Sequence, residues 1–160
     1  MRGRFLINGE TWELEFRPEA TLLEVLRHLG FTEVKQGCDD GLCGACAVLL
    51  DGVPVPSCQV LAATATDTPI VTAQGIGTVQ HPHPLQEALA EVGAVQCGFC
   101  TPGIVVSTYA LLQRNPDPTE EEIRHALDGH LCRCTGYVKI LEGVQRAAQR
   151  MRKNDEGHAL

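Results

Sequence analysis

The eight cysteines of this chain occur as two separate groups of four, and this grouping constrains the fold more than any other feature. The first group is Cys38, Cys43, Cys46 and Cys58, and the second is Cys97, Cys100, Cys132 and Cys134. No cysteine is left over, and four thiolates can close a metal site. A fold must therefore bring each group together, and the two groups predict two folding units.

Charge and hydrophobicity narrow the class of protein. The chain has 13 Lys and Arg against 20 Asp and Glu, and this net charge of −7 argues against nucleic-acid binding. No apolar run approaches the roughly 20 residues of a membrane span. The N-terminal residues alternate between apolar and polar, unlike a secretory signal. We therefore expect a cytoplasmic protein, in which the cysteines stay reduced rather than forming disulfides.

Residues 1–76 contain the signals of a small sheet with one helix across it. Asn8-Gly9 predicts a tight hairpin turn between two alternating segments, and a later Asp-Gly dipeptide predicts a second hairpin. Thr21 and Glu24 form a capping box that predicts the start of a helix. The segment TPIVTA reads as a last short strand.

Helical periodicity replaces this alternation after a linker at residues 77–84, which is rich in glycine and proline. Apolar residues at spacings of three and four predict four short amphipathic helices over residues 85–160. One of these helices begins at a second capping box, Thr119 with Glu122. Four such helices imply a bundle, so the predicted fold class is α+β.

The first cysteine group has the spacing C-x4-C-x2-C, with the fourth cysteine eleven residues further on. This spacing is typical of plant-type ferredoxins, which bind a [2Fe–2S] cluster. Gly37, Gly41 and Gly44 are predicted to allow positive φ angles, so that backbone N–H groups can face an anionic cluster. A structural zinc site is the alternative, although zinc sites more often use paired C-x2-C motifs.

The second cysteine group combines C-x2-C with C-x-C. Cys97 and Cys100 precede a predicted helix, while Cys132 and Cys134 precede the last predicted helix, which Thr135 is expected to cap. Two helix N-termini would then converge on the site, and their dipoles favour a buried anion. The pattern suits a second anionic cluster, with zinc again the alternative.

Three motifs in this order, GCDDGLCGACAVLLDG…SC, QCGFCTPG and LCRCTGY, resemble the small iron–sulfur subunit of the xanthine dehydrogenase, or molybdenum hydroxylase, family. The resemblance runs from about Arg4 to about Ala148. It implies a β-grasp ferredoxin domain at residues 1–76, a linker at 77–84 and a four-helix domain at 85–160, each domain holding one [2Fe–2S] cluster.

The resemblance also implies site residues and partners. The cluster ligands would be Cys38, Cys43, Cys46 and Cys58, and then Cys97, Cys100, Cys132 and Cys134. Gln96 and Cys134 would lie against a molybdopterin, in a dinucleotide form, in a large partner subunit. Electrons would pass from molybdenum through both clusters to FAD in a medium subunit, within a dimer of heterotrimers. The chain alone would neither bind nor convert substrate.

One residue departs from the family pattern, and two other functions remain open. His130 stands where the family usually has asparagine, and we expect it to be a polar residue at a helix end rather than a ligand. The alternative functions are a free two-cluster ferredoxin that serves diffusible partners and a zinc-stabilised interaction module without a redox role.

Overall fold

The computed structural model describes residues 1–157, which form a mixed α+β fold with five strands and six α-helices in this range. The strands are β1 (Arg2–Ile7), β2 (Glu10–Glu15), β3 (Ala47–Leu50), β4 (Val53–Pro56) and β5 (Pro69–Val71). The helices are α1 (Leu22–His28), α2 (Ala73–Ile76), α3 (Pro84–Glu91), α4 (Thr101–Arg114), α5 (Glu120–Ala126) and α6 (Val138–Gly157). The last three residues of the predicted second unit lie outside the described residues.

The strands form one sheet in the order β2-β1-β5-β3-β4. β1 pairs antiparallel with β2 and parallel with β5, while β3 pairs antiparallel with both β4 and β5. The predicted hairpin turn is confirmed, since Asn8 and Gly9 have φ angles of 52° and 84°. The capping box of α1 is also confirmed, because the Glu24 N–H donates to the Thr21 hydroxyl at 3.2 Å. Buried residues of α1, β1 and β3 form one apolar core, so the helix packs against the sheet.

The second half of the chain contains the four predicted helices, α3 to α6, around their own apolar core. The Thr119 capping box of α5 is confirmed, with the Glu122 N–H donating to the Thr119 hydroxyl. Between the halves lies a single helical turn, α2, which sequence periodicity did not predict. Within residues 1–157, no helix has both the length and the apolar character needed to cross a membrane.

A third group of buried residues joins the two halves. Ala47 and Leu49 of β3 pack with Val106 and Ala110 of α4, and Val106 is fully buried. The sheet and the helical half therefore meet in a packed apolar contact between β3 and α4.

Candidate metal centres

The eight cysteines come together in four pairs of thiols. Cys46 and Cys58 have their Sγ atoms 3.4 Å apart. The other thiols within hydrogen-bonding reach of each other are Cys38 with Cys43, Cys97 with Cys134, and Cys100 with Cys132. All eight are free thiols. Each predicted group of four is thus assembled as two pairs. In the first group the paired cysteines are consecutive in the sequence pattern, whereas in the second group each pair joins one cysteine of C-x2-C to one of C-x-C.

The pairing bears on the choice between a single zinc ion and a two-iron cluster. Two thiolates on one tetrahedral metal ion lie about 3.8 Å apart at the usual metal–sulfur distance of about 2.3 Å. Across residues 1–157, no three His, Cys, Asp or Glu side chains converge as they would on one ion. Two pairs per site, with one pair for each iron, fit a [2Fe–2S] cluster better than a four-thiolate zinc site.

Glycines shape the first site in two different ways. Gly41 and Gly44 have φ angles of 81° and 70°, as predicted for a loop that turns its N–H groups towards an anion. Gly37 does not have a positive φ angle. A Cβ atom there would lie 3.0 Å from Cys43 Sγ and 3.2 Å from the Phe99 ring, so Gly37 is needed for close approach instead.

Burial and hydrogen bonding set the electrostatics of the first site. Burial raises the pKa of Cys43 and of Cys58, because a buried thiolate loses its hydration. A hydrogen bond from Cys43 lowers the pKa of Cys38. The side-chain amide of Gln59 donates to Cys58 Sγ at 3.6 Å and opposes the effect of burial there. A bound cation at this site would stabilise all of these thiolates.

The second site contains a pair of thiols, buried Cys100 and half-buried Cys132, with very different acidities. Burial raises the pKa of Cys100 to about 12. Burial also acts to raise the pKa of Cys132, but hydrogen bonds from Thr135 and the Cys134 backbone outweigh it and lower the pKa to about 7. The Thr135 hydroxyl lies 3.0 Å from Cys132 Sγ and accepts the Tyr137 N–H. Thr135 therefore hydrogen-bonds both the Cys132 thiol and the backbone of the residue that precedes α6.

The other pair at the second site, Cys97 and Cys134, is exposed. Helix α4 begins directly after Cys100, and α6 begins four residues after Cys134, as the sequence predicted. Gln96 is also exposed, and its side chain makes no hydrogen bond to any described residue. One side of the second site is thus enclosed by helices, while the other side faces outwards.

His130 differs from the expectation of a polar residue at a helix end. It is only 7% exposed and lies between the two halves of the chain. Its Nε2 shares a hydrogen bond of 2.7 Å with Ser107 Oγ on α4. Burial lowers the pKa of His130, so the ring is neutral near pH 7. No local sequence pattern indicates this burial, because Ser107 and Gly44, which contact the ring, are distant along the chain.

Comparison with known protein families covers nearly the whole chain. Residues 5–70 match the family described as "2Fe-2S iron-sulfur cluster binding domain", and residues 72–145 match the family described as "[2Fe-2S] binding domain". Each match contains one complete group of four cysteines. Two [2Fe–2S] clusters per chain follow from these matches.

Two curated relatives are similar over most of their own length. The nicotinate dehydrogenase small FeS subunit of Eubacterium barkeri is 48% identical over 145 residues, covering 90% of this chain and 92% of that protein. The xanthine dehydrogenase iron-sulfur-binding subunit of Escherichia coli O157:H7 is 48% identical over 143 residues, covering 86% and 88%.

Solved structures show the same fold. A chain of quinoline 2-oxidoreductase from Pseudomonas putida 86 superposes with a TM-score of 0.90 at 36% identity, with 96% of both chains covered. The aldehyde oxidoreductase of Desulfovibrio desulfuricans superposes with a TM-score of 0.92 at 41% identity. This chain spans only 17% of that longer protein and 11% of the xanthine dehydrogenase of Emericella nidulans.

Proposed function

Because this chain belongs to the family of small [2Fe–2S] subunits of the xanthine dehydrogenase type, we propose that it carries electrons inside a molybdenum hydroxylase complex. The observation that supports this role best is the assembly of each cysteine group as two thiol pairs. We propose that the first cluster is held by Cys38, Cys43, Cys46 and Cys58, and the second by Cys97, Cys100, Cys132 and Cys134.

The chain is proposed to consist of two domains, each of which holds one cluster. Residues 1–76 would be a β-grasp ferredoxin domain and residues 85–160 a four-helix domain, joined by a linker at 77–84. Separate apolar cores beneath the sheet and among α3 to α6 support this division. The shared contact through α4 supports a fixed arrangement of the two domains, which electron transfer requires because its rate falls steeply with distance.

Each cluster supplies the uptake and release of single electrons, in the proposed order from a molybdopterin centre to the second cluster, then the first cluster, then FAD. The residues of this chain hold the clusters and stabilise their negative charge. At the second site the N-termini of α4 and α6 provide favourable dipoles. At the first site the turn at Gly41 and Gly44 presents backbone donors, and the Gln59 amide donates to Cys58.

The outward side of the second site is the proposed contact with the large molybdopterin-binding subunit. Four exposed apolar side chains lie close in sequence to its cysteines, namely Val95, Phe99, Leu131 and Val138, with exposures between 41% and 69%. Apolar side chains of this size at one place favour a protein partner. Gln96, exposed and without a described hydrogen-bond partner, is proposed to reach the pterin together with Cys134.

The remaining parts of the proposal concern the assembly. We propose a medium subunit that binds FAD, a dimer of heterotrimers and a cytoplasmic location. The near-complete coverage of the Eubacterium barkeri and Escherichia coli relatives, both named as subunits, supports a separate small chain within a larger enzyme. Substrate would be bound and converted by the large subunit, not by this chain.

Metal analysis and spectroscopy test the cluster assignment. We expect about four iron and four acid-labile sulfide per chain, from two clusters of two irons each. Cys43→Ser and Cys100→Ser should each remove a different electron paramagnetic resonance signal from the reduced protein, so that each variant is the control for the other. Stoichiometric zinc without visible absorption would contradict the assignment, as would loss of both signals from either change in folded protein.

A pair of surface variants tests the partner contact. Val138→Glu places a charge beside the second site, whereas Val53→Glu places one in the sheet at a residue of similar exposure, 60% against 69%. We expect Val138→Glu to prevent co-purification with the molybdenum-containing chain and Val53→Glu to preserve it. Equal co-purification of both variants would contradict the proposed contact, and a parent protein that purifies alone with both clusters would favour a free ferredoxin.

A further inference from the structure

The two cysteine-bearing loops touch each other at Gly44. This residue lies between Cys43 and Cys46 of the first site, with a φ angle of 70°. A Cβ atom at Gly44 would overlap the backbone oxygen of Gly129 and the ring of His130, with His130 Cε1 at 2.9 Å. We call this contact the seam, meaning residues 43–44 against residues 129–131.

Backbone contacts on both sides hold the seam at atomic contact distance. The Leu131 N–H donates to the Cys43 carbonyl at 3.0 Å, so a proposed ligand of the first site is bonded to the residue before Cys132 of the second site. On the opposite face, the Gly44 carbonyl lies so close to Gly103 of α4 that a Cβ atom there would overlap it. The first loop is therefore inserted between two parts of the second unit.

His130 is the side chain that closes the seam. Its Nε2 is bonded to Ser107 Oγ on α4, while its Nδ1 edge lies against Gly44. Its own backbone is fixed as well, because its N–H donates to the Leu127 carbonyl at 2.8 Å and its carbonyl accepts the Tyr137 hydroxyl at 2.9 Å. The ring is thus tied to α4 at Nε2 and packed against Gly44 at Nδ1, which is buried without a hydrogen-bond partner among the described residues.

We propose that His130 is a positioning residue that fixes the separation of the two clusters by anchoring the seam to α4 through Ser107. The proposal rests on the proposed function, since it concerns the sites at which the clusters are held. Burying an imidazole without hydrogen bonds is unfavourable, and Ser107 is the one hydrogen-bond partner of the ring among the described residues, so this bond holds the ring orientation.

Varying the reach of the side chain at position 130 tests whether the bond to Ser107 positions the seam. Glutamine can place its amide nitrogen near the position of His130 Nε2 and keep the Ser107 bond, whereas alanine has no polar atom to reach Ser107. The assay uses the full chain with both clusters reduced and measures their magnetic interaction, as splitting or enhanced relaxation in electron paramagnetic resonance. This interaction depends on the inverse cube of the separation, so a seam that varies in position broadens it.

We expect His130→Gln to retain the interaction of the parent protein, and His130→Ala and Ser107→Ala to lose its resolved form. His125→Ala, which removes an exposed histidine on α5, should leave it unchanged. Ser107→Ala keeps the imidazole ring and every cysteine, so it tests the proposed anchoring of the seam even if a His130 variant fails to fold.

Three results would overturn the proposal. They are an unchanged interaction in Ser107→Ala, loss of the interaction in His130→Gln as severe as in His130→Ala, and a parent protein without measurable interaction between its two signals. Failure of the proposed function would look different, because the parent protein would then show no two cluster signals at all.

Discussion

Replacing Gly103 by alanine tests the close contact between helix α4 and the first cysteine loop. Gly103 is in the first turn of α4, directly over Gly44. A Cβ atom at this position would overlap the Gly44 carbonyl oxygen and lie 3.2 Å from its carbonyl carbon and 3.4 Å from the Cα atom of Ala45. All three are backbone atoms, so no side-chain rotation can relieve the overlap.

Two opposing effects determine the change in the free energy of unfolding. Alanine is favoured over glycine inside a helix by about 0.8–1.0 kcal/mol. Overpacking costs about 1–3 kcal/mol, and a clash with rigid backbone belongs at the upper end of that range. The net expectation for Gly103→Ala is a loss of about 2 kcal/mol. For a chain of this size, that loss lowers Tm by roughly 4–8 °C.

Thermal unfolding of the cluster-loaded chain, followed by circular dichroism at one scan rate, measures this change. The matched control is Gly129→Ala, because no atom lies within 4 Å of the added Cβ and the residue has no positive φ angle. Its stability should change by no more than about 0.5 kcal/mol. If Gly103→Ala raised Tm, helix propensity alone would explain the result, and the close contact with Gly44 would be refuted.

Three further predictions concern a helix cap, a histidine and the proposed pterin contact. Thr119→Ala should lower stability by about 1 kcal/mol, because the capping box of α5 is lost, while Thr119→Ser should retain most of it in thermal unfolding. The neutral Nδ1 of His83 accepts the Leu85 N–H, and burial lowers the pKa of His83. The unfolded chain therefore binds a proton at this histidine more readily than the folded chain does, so stability should fall as the pH drops below about 6.5. His83→Asn can cap the helix without titrating, so it should flatten that part of a stability–pH profile. Gln96→Ala should leave both clusters formed but slow their reduction by substrate in the assembled complex about fivefold, because one hydrogen bond of about 1 kcal/mol is lost. Unchanged reduction rates in rapid-mixing absorbance, with unchanged molybdenum content, would refute the proposed pterin contact.

The sequence by itself determined those features that depend on neighbouring residues. The Asn8-Gly9 turn and the capping boxes at Thr21 and Thr119 formed as predicted, because each requires only a few consecutive residues to adopt preferred angles and satisfy local N–H groups. The division of eight cysteines into two groups was equally readable, since spacing along the chain limits which thiols one loop can bring together. The family motifs extended this reading to the two clusters.

Only the tertiary structure decided how the two halves meet. Gly37 and Gly103 are required for close approach, and His130 is buried rather than placed at a helix end. The short helix α2 also forms in the stretch between the two halves of the chain. These features depend on atoms that are far apart in sequence and come within a few ångströms only after the helices dock on the sheet. No local pattern of turns, caps or apolar spacing encodes such a contact, because its energy comes from the partner surface rather than from the neighbouring residues.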